Sequence, residues 1–578
     1  MKRKRSSPLQ IRIFVVGTAF TAMLAVVVAR AVHVQLFMDD VLSRKAAEQY
    51  EKTIRVTGKR GTIYDTRLRE LAVSTESTSL AAYPNRIKAP ERAAKQLARI
   101  LGMNPRVLSG TLKKAKSFVW VKRHISPHEA KAVRQLGIEG VDFIPEHGRY
   151  YPNRSLAAQL IGFSGIDGDG LEGIEFDFDR ELRGGRVMFT VLKDARGRGF
   201  DGERSVMFSQ GGNDIVLTID RTVQHITESA LEEAVTGCRA ASGMAVVMVP
   251  ATGEVLAMAN FPSFNPNVFA RYGTGQRRNR TVTDAFEPGS TIKIFTAAAA
   301  IDSGKLSPHS IFFCENGKYR IGRHTIHDTK PHGWLSLQRI IKYSSNIGMA
   351  KVADAIGAKT LHSTLVRLGF GRKTGVDYPG ETAGRLADHS KWQSFDTAAI
   401  SFGQGMSVSA LQLATAVSAV ANGGTLMRPY LIKAVISPAG DPLKAFGPRE
   451  AGQAMSRKTA RAVTRMMHMV VEADGTGTRA QPEGYTACGK TGTAQKIGES
   501  GTYAKGKYVS SFVGFAPVEH PELAVVVVVD EPRDEHYGGI VAGPAFRRIV
   551  QETLTYLNVA PSPDAGGMTV SRETGTRG

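Results

Sequence analysis

The sequence predicts an α+β protein in which one apolar helix precedes two folded regions. Three observations support this. An uncharged apolar segment lies near the N-terminus, and beyond Asn213 a helix-rich block separates two groups of strand-like segments. The composition is that of a globular protein, with 42% hydrophobic and 22% charged residues in 578. Length alone suggests roughly two to four domains.

The apolar segment predicts a membrane span over residues 13–37. Residues 13–29, IFVVGTAFTAMLAVVVA, carry no charge, and apolar residues continue to Phe37. A helix of that length extends about 37 Å and crosses a hydrocarbon core of about 30 Å. The basic residues of the tail 1–12 put the N-terminus in the cytoplasm and all that follows the span outside it. A cleaved signal peptide is the alternative, because Ala29–Ala31 reads like a cleavage site, but the apolar stretch is longer than a signal core.

Charge and cysteine content narrow the classes of partner. The formal net charge of +22 suits nucleic acid, an anionic membrane or an acidic polymer. Because the large region is expected outside the cytoplasm, nucleic acid is excluded, and an anionic membrane surface or an acidic polymer remains as the partner. Three cysteines give no disulfide framework; Cys238 and Cys314 could pair, and Cys488 is expected to pack within a strand.

Residues 38–210 are expected to form a mixed, basic, non-catalytic module. Residues 39–57 predict a helix that leaves the membrane and becomes extended, and 90–102 predict a helix. The Gly-rich stretch 162–176 contains a literal dinucleotide fingerprint, which we reject because Asp169 and Glu172 would repel a pyrophosphate. The basic runs, such as Lys113–Lys116, are expected to be solvated, with contact to anionic lipid or glycan as the alternative.

Residues 211–558 are expected to form the second domain, built on one antiparallel sheet. The predicted elements are a strand at 214–220, a helix at 221–237, a hairpin of strands 245–249 and 254–260, a mainly helical block at 285–480, strands at 485–495, 508–516 and 523–530, and a helix at 545–557. Because the two strand groups must meet, we expect the terminal helices on one sheet face and the helical block on the other. The polar, Gly- and Pro-rich tail 559–578 is expected to be disordered.

The stretch TDAFEPGSTIKIFT places chemistry at the start of a predicted helix. Ser290 follows Pro288-Gly289, and Lys293 shares its helix face at i+3. A serine hydroxyl is a poor nucleophile unless a base takes its proton. To act as that base, the pKa of Lys293 would have to fall from about 10.4 to near 7, which costs about 4 kcal/mol and requires burial and a neighbouring cation. A capping serine with an exposed lysine is the alternative for this pattern on its own.

Ser344-Ser345-Asn346 begins a second predicted helix, 54 residues after Ser290. A hydroxyl at Ser344 and an amide at Asn346 can reach one cleft, where they relay a proton and bind a peptide amide. A similar triplet at Ser263–Asn265 lies in a Pro-bounded loop and is rejected.

Lys490-Thr491-Gly492-Thr493 lies in a predicted strand and completes the set. Lys490 supplies the second cation, and Thr491 and Thr493 can bind a substrate carboxylate. Gly492 leaves room for a substrate backbone at the strand edge, and the backbone N–H groups of Ser290 and Thr493 could form an oxyanion hole. The similar triplet Lys373–Gly375 has no strand before it and is expected to be a loop.

In this order the three elements resemble the Ser-x-x-Lys, Ser-x-Asn and Lys-Thr-Gly set of penicillin-binding proteins and β-lactamases. With RGTIYD (60–65), GLEGIE (170–175) and RNRTVTDAFEPGSTIK (278–293), the chain is similar to class B penicillin-binding proteins, in particular to their division-specific, FtsI-type branch. One position departs from that class. After Asp65 the class commonly has Arg-Asn-Gly, but here Thr66-Arg67-Leu68 follow, so the turn lacks its glycine.

The resemblance implies a β-lactamase/transpeptidase-like domain that crosslinks peptidoglycan. Ser290 would attack the D-Ala-D-Ala bond of a stem peptide and pass the acyl group to the amine of another stem. Lys293 would be the acylation base, Ser344 would protonate the leaving amine, and β-lactams would acylate Ser290. No cofactor is implied, and the loop residues His324, His327, Asp328 and His332 are interpreted as structural rather than as metal ligands.

The resemblance also implies a single-pass inner-membrane protein with a periplasmic catalytic domain at the septum. Its partners would be an FtsW-like glycan polymerase and other divisome proteins. Three alternatives remain: an elongation-type transpeptidase, a hydrolase such as a D,D-carboxypeptidase or β-lactamase, and a non-enzymatic scaffold or β-lactam sensor.

Overall fold

The computed structural model describes residues 8–38, 51–113, 118–192, 211–498 and 502–562. The predictions for residues 1–7, for most of the helix after the membrane span, for Lys114–Lys116 and for residues 563–578 lie outside these ranges. The chain forms two compact units. The smaller unit comprises Met1–Gly58, Glu76–Gly148 and Gly185–Ser209, and the larger comprises Lys59–Thr75, Arg149–Gly184 and Gln210–Gly578. The chain therefore passes between the two units several times.

The N-terminal helix spans Pro8–Phe37. Its stretch Ile11–Leu36 has a mean hydropathy of 2.2 and is not buried against protein. By length and composition this helix can cross a membrane once, over nearly the range that the sequence predicts.

The smaller unit packs helices on a short sheet. Its other helices are Pro90–Leu101, Pro105–Leu112 and Pro127–Gln135, and its strands include Glu51–Thr57, Val119–Ile125, Arg186–Leu192, the second half of Glu70–Ala82 and all but the last two residues of Val141–Tyr150. The predicted helix at 90–102 is confirmed. It begins at a proline and ends at Gly102, whose φ of 65° needs no strain in glycine.

The larger unit is built on a five-stranded antiparallel sheet with the strand order β2-β1-β5-β4-β3. The strands are β1 (Ser242–Met248), β2 (Val255–Phe261), β3 (Cys488–Ile497), β4 (Tyr503–Ala516) and β5 (Leu523–Asp530). The predicted meeting of the two strand groups is confirmed, since β1 pairs with β5. Cys488 is buried in β3 as expected, and β3 forms one edge of the sheet.

The two faces of this sheet bury different helices because side chains alternate along a strand. Val525 and Val527 of β5 join the core of helices α1 (Arg221–Gly237) and α6 (Gly543–Tyr556). Val526 and Val528 join the core of the helical block. The block's main helices are α2 (Lys293–Asp302), α3 (Asn346–Ile356), α4 (Ala410–Ala421) and α5 (Arg457–Val471). The predicted α+β arrangement is thereby confirmed.

The block between the strand groups is less purely helical than predicted. Its additional strands are Ile311–Phe313, Lys318–Ile321, His324–His327, Trp334–Ser336, Thr425–Met427, Ile432–Ile436, Pro442–Ala445 and Glu450–Gln453. Most pair as short two-stranded ribbons, which are too short to show a strand period in the sequence. Ile432–Ile436 pairs instead with Asp214–Leu217. The predicted strand at 214–220 therefore lies outside the five-stranded sheet.

The remaining elements of the larger unit are short. The helices are Ala158–Ile161, Gly173–Asp177, Asp179–Leu182, Thr274–Arg277, Arg280–Thr283, Leu337–Tyr343, Ala358–Arg367, Ser394–Ser401 and Gly538–Val541. The strands are Ile63–Tyr64, the first half of Glu70–Ala82, Phe163–Ser164, Gly170–Glu172 and Asp214–Leu217. Among the described residues the three cysteines are free.

Candidate active site

Ser290 lies in a tight turn pressed against strand β3. The turn is a 3-10 segment, Gly289–Ile292, that leads directly into α2. Gly289 has a φ of 56°, and its N–H donates to the Gly403 carbonyl oxygen at 3.1 Å. A Cβ on Gly289 would lie 2.9 Å from the Thr493 carbonyl oxygen. The predicted Pro288-Gly289-Ser290 segment therefore packs its backbone closely against β3, and a residue larger than glycine at position 289 would prevent this contact.

Lys293, one turn below, is completely buried. Its Nζ donates to the Ser344 carbonyl oxygen at 2.5 Å, to Asn346 Oδ1 at 2.7 Å and to Ser344 Oγ at 3.2 Å. Burial lowers the pKa of this amine to about 7, although the charge of Asp328 acts in the opposite direction. The alternative of an exposed lysine beside a capping serine is wrong. Close to neutral pH this amine can hold or release a proton.

Lys490 reaches the same hydroxyl from strand β3. It too is completely buried, and its Nζ donates to Ser344 Oγ at 3.0 Å and to Thr491 Oγ1 at 3.1 Å. Burial, followed by the like charge of Lys293, lowers its pKa. The Ser344 hydroxyl thus joins two amines whose neutral forms are favoured, which permits a proton to pass between them.

Ser344 sits between two helices rather than inside one. It follows the helix Leu337–Tyr343 with a left-handed φ of 62°, and Ser345 caps α3 by accepting from the Gly348 N–H. Asn346 is the first residue of α3, and its Nδ2 donates to the His327 carbonyl oxygen at 3.0 Å. The predicted triplet is thus a turn that places the Ser344 hydroxyl and the Asn346 amide beside Lys293.

The predicted residues surround one cleft of about 610 Å³. Ser290, Ser344, Asn346, Thr491 and Thr493 line it directly. Lys293 and Lys490 lie below its floor, where they reach Ser344. The two rejected triplets stay away from the cleft: Ser263 bonds the Ser155 carbonyl, and Thr374 bonds Glu381 in a loop.

The structure assigns Gly492 a different role from the one expected. A Cβ at this position would lie 2.2 Å from Ser511 Oγ, 2.7 Å from Thr291 Cγ2 and 3.0 Å from the Pro288 carbonyl oxygen. Because Gly492 has no side chain, the turn Gly289–Ile292, which we call the nucleophile turn, can pack against β3. The space beside Gly492 is occupied by protein atoms and not by substrate. Next to it, Thr493 Oγ1 accepts from the Gly538 N–H at 3.1 Å, so the Gly538–Val541 helix closes one side of the cleft.

Sequence reasoning missed several residues of this site. His332 lines the cleft and stacks on Tyr343, while His536 and Tyr537 line it on the other side, also stacked. Asp328 lies just behind Ser345 and Asn346. The sequence signal for Asp328 and His332 is their position in the His-rich loop before Ser344, which on sequence alone is interpreted as structural.

Comparison with known proteins gives two family matches and several full-length relatives. Residues 243–551 match the penicillin-binding protein transpeptidase domain, and residues 55–217 match the penicillin-binding protein dimerisation domain. The probable peptidoglycan D,D-transpeptidase PenA of Neisseria gonorrhoeae is 36% identical, over 95% of this chain and 94% of its own length. The peptidoglycan D,D-transpeptidase FtsI of Escherichia coli K12 is 33% identical, over 96% of this chain and 94% of its own length.

A solved structure agrees with these sequence relatives. Penicillin-binding protein 3 of Mycobacterium tuberculosis, crystallised with aztreonam, is 28% identical and has a TM-score of 0.69 over 89% of this chain and 99% of that one. The transpeptidase match covers just over half of the residues, and both relatives extend along almost the whole chain. The chain therefore belongs to the penicillin-binding proteins that carry a transpeptidase domain.

Proposed function

We propose that this protein is a serine D,D-transpeptidase that crosslinks peptidoglycan through an acyl-enzyme on Ser290. One observation carries the proposal: two buried lysines meet at the Ser344 hydroxyl, directly below the cleft that Ser290 lines. Such an arrangement favours neutral amines near pH 7, which is what activation of a serine requires. The names of the relatives from Neisseria and Escherichia supply the substrate class.

In the first half-reaction, neutral Lys293 takes the proton of Ser290 Oγ, and that oxygen attacks the carbonyl carbon between two terminal D-alanines. The N–H groups of Ser290 and Thr493 stabilise the oxyanion. The C–N bond breaks, and the proton passes from Lys293 through Ser344 to the departing D-alanine amine. The stem peptide is left as an ester on Ser290.

In the second half-reaction, an amine of a neighbouring stem attacks that ester. A new amide bond forms, the bond to Ser290 breaks, and the proton released by the amine returns to the serine oxygen. Asn346, Thr491 and Thr493 hold the peptide amide and terminal carboxylate in the cleft. A β-lactam follows only the first half-reaction, because its ring opening leaves no departing group to make room for an acceptor.

We further propose that the N-terminal helix anchors the chain in the inner membrane, with the catalytic unit in the periplasm at the division septum. The basic N-terminus supports this orientation, and the likeness to FtsI supports the septal role. The non-catalytic module would then contact an FtsW-like glycan polymerase and other divisome proteins.

Labelling of the full-length protein with a fluorescent penicillin tests the chemistry. The wild type is expected to be labelled, Ser290→Ala is expected to lose all label, and Ser263→Ala, at the rejected triplet, is expected to keep it. Unchanged labelling of Ser290→Ala would overturn the assignment, and rapid loss of label from the wild type would identify a hydrolase. Depletion is expected to give filamentous cells; round cells would indicate an elongation role.

A further inference from the structure

Asp328 accepts three hydrogen bonds from Ser345, Asn346 and Ile347 at the start of α3, although none of the three motifs contains it. Its Oδ1 accepts from the Asn346 N–H at 2.6 Å and from the Ile347 N–H at 3.1 Å. Its Oδ2 accepts from the Ser345 hydroxyl at 2.5 Å. These donors form the N-terminus of α3, where a carboxylate is stabilised by the helix dipole and by charge-assisted hydrogen bonds.

The same segment fixes the orientation of the Asn346 side chain. The His327 carbonyl oxygen accepts from Nδ2 at 3.0 Å, so Oδ1 is turned toward Lys293 and accepts from its Nζ at 2.7 Å. Asp328 holds the backbone of Asn346 while His327 holds its amide. Both partners of Lys293, Ser344 and Asn346, therefore depend on how this loop sits against α3.

We propose that Asp328 is a positioning residue for acyl transfer, which holds the Ser344–Asn346 turn against Lys293 and presents a negative charge to that amine. The proposal rests on the proposed function, in which Lys293 is the base for Ser290. Asp328 does not line the substrate cleft. It acts through Ser345, Asn346 and Ile347, whose positions its hydrogen bonds fix.

The charge of Asp328 has a definite effect on the proton affinity of Lys293. Burial lowers the pKa of Lys293 to about 7, and Asp328 keeps it from falling further. Among the described residues, the pair also interacts with Lys490, which shares Ser344 Oγ with Lys293, and with the Cys314 thiol, whose pKa is raised by burial and also by Asp328. Removing the negative charge should let neutral Lys293 persist to lower pH, because an ammonium loses a favourable neighbour.

The test measures acylation of the full-length protein by a fluorescent penicillin across a series of pH values. In the wild type the rate is expected to rise with pH through about 7, as Lys293 loses its proton. For Asp328→Asn we expect the midpoint of this rise to move down by about one pH unit. For Asp328→Ala, which also leaves the α3 N–H groups without an acceptor, we expect a plateau rate lower by about 10- to 100-fold.

Glu315→Gln is the matched control. Glu315 belongs to the same helical block, and its carboxylate pairs with Lys351 away from the cleft. Its pH profile should equal that of the wild type. An unshifted midpoint in Asp328→Asn would overturn the inference, and so would a rate reduced equally at every pH with a lower melting temperature, which marks a purely structural cap. If Asp328→Ala does not fold, Asp328→Asn decides alone. Failure of the wild type to label at Ser290 would instead overturn the proposed function.

Discussion

At the scale of single residues, the site depends on two lysines that the fold keeps away from water. Neither forms an ion pair within the part of the chain that the structure describes, and burial is the largest cause of the lowered pKa of each. From the sequence, burial and a neighbouring cation are expected to act together on Lys293; in the structure burial lowers its pKa, and the like charge of the pair is expressed at Lys490 instead. Between about pH 7 and 10.4 a lysine with a lowered pKa binds more protons in the unfolded chain than in the folded one. The contribution of such a lysine to the free energy of unfolding therefore rises with pH.

A second residue-scale feature is the turn after Asp65, where Leu68 occupies the position at which the family resemblance leads us to expect glycine. Leu68 adopts a left-handed φ of 59°, and the turn is held by Asp65 Oδ1, which accepts from the Arg67 and Arg69 N–H groups at 2.9 and 2.8 Å. The turn therefore forms without a glycine, but its backbone is strained at Leu68. A non-glycine residue pays roughly 1–2 kcal/mol for this conformation.

Leu68→Gly is expected to stabilise the larger unit by about 0.5–1 kcal/mol, the strain relieved less the greater flexibility of glycine in the unfolded chain. Leu68 is mostly exposed, so little packing is lost. Urea unfolding of the detergent-solubilised protein measures the change. Leu68→Ala keeps the strain and should show no gain; an equal gain in both variants would contradict this explanation.

At the scale of elements, the site is the line of contact between the nucleophile turn and strand β3. Gly289 of the turn approaches the Thr493 carbonyl, and Gly492 of the strand approaches the Pro288 carbonyl and Thr291. Two glycines on opposite elements thus set the distance between Ser290 and the Thr491–Thr493 edge.

Gly492→Ala is expected to push the two elements apart, because its Cβ would meet Ser511 Oγ, Thr291 and the Pro288 carbonyl. We expect a loss of about 1–3 kcal/mol in stability from overpacking and at least a 100-fold slower acylation from the displaced serine. Gly447→Ala, where no atom lies within 4 Å of the added Cβ, is the control. Acylation of Gly492→Ala at the wild-type rate would show that this contact does not position Ser290.

At the scale of the whole molecule, a buried ion-pair network connects segments of the larger unit that are far apart in sequence. Glu175 is fully buried and accepts from Arg60 Nε at 2.6 Å and from Arg149 Nε at 2.6 Å. Burial alone would raise the pKa of Glu175, but Arg149 and Arg60 more than offset it, so the pKa is lowered. The RGTIYD and GLEGIE stretches are therefore partners in one network.

Removing this charge in Glu175→Gln is expected to destabilise the larger unit by about 3–5 kcal/mol, because two guanidinium groups lose their buried partner. The lowered pKa means that Glu175 contributes stability above about pH 4.3 and that this contribution is lost as the pH falls. Unfolding measured at pH 7 and pH 4 should therefore show a smaller difference between variant and wild type at pH 4. Glu483→Gln, at an exposed pair with Arg547, should change stability by less than about 0.5 kcal/mol.

The sequence by itself determined the apolar N-terminal helix, the α+β class, the strands β1, β2 and β5, the helix α1, and the three motifs that meet at the cleft. These follow from local pattern, because strand alternation, helix caps and the residues within each motif act over a few positions. Only the tertiary structure decided that Gly492 accommodates the turn that carries Ser290, that burial lowers the pKa of Lys293, and that Asp328 lies behind Asn346. The reason is that desolvation and close packing depend on neighbours brought together from distant parts of the chain, and no local pattern specifies them.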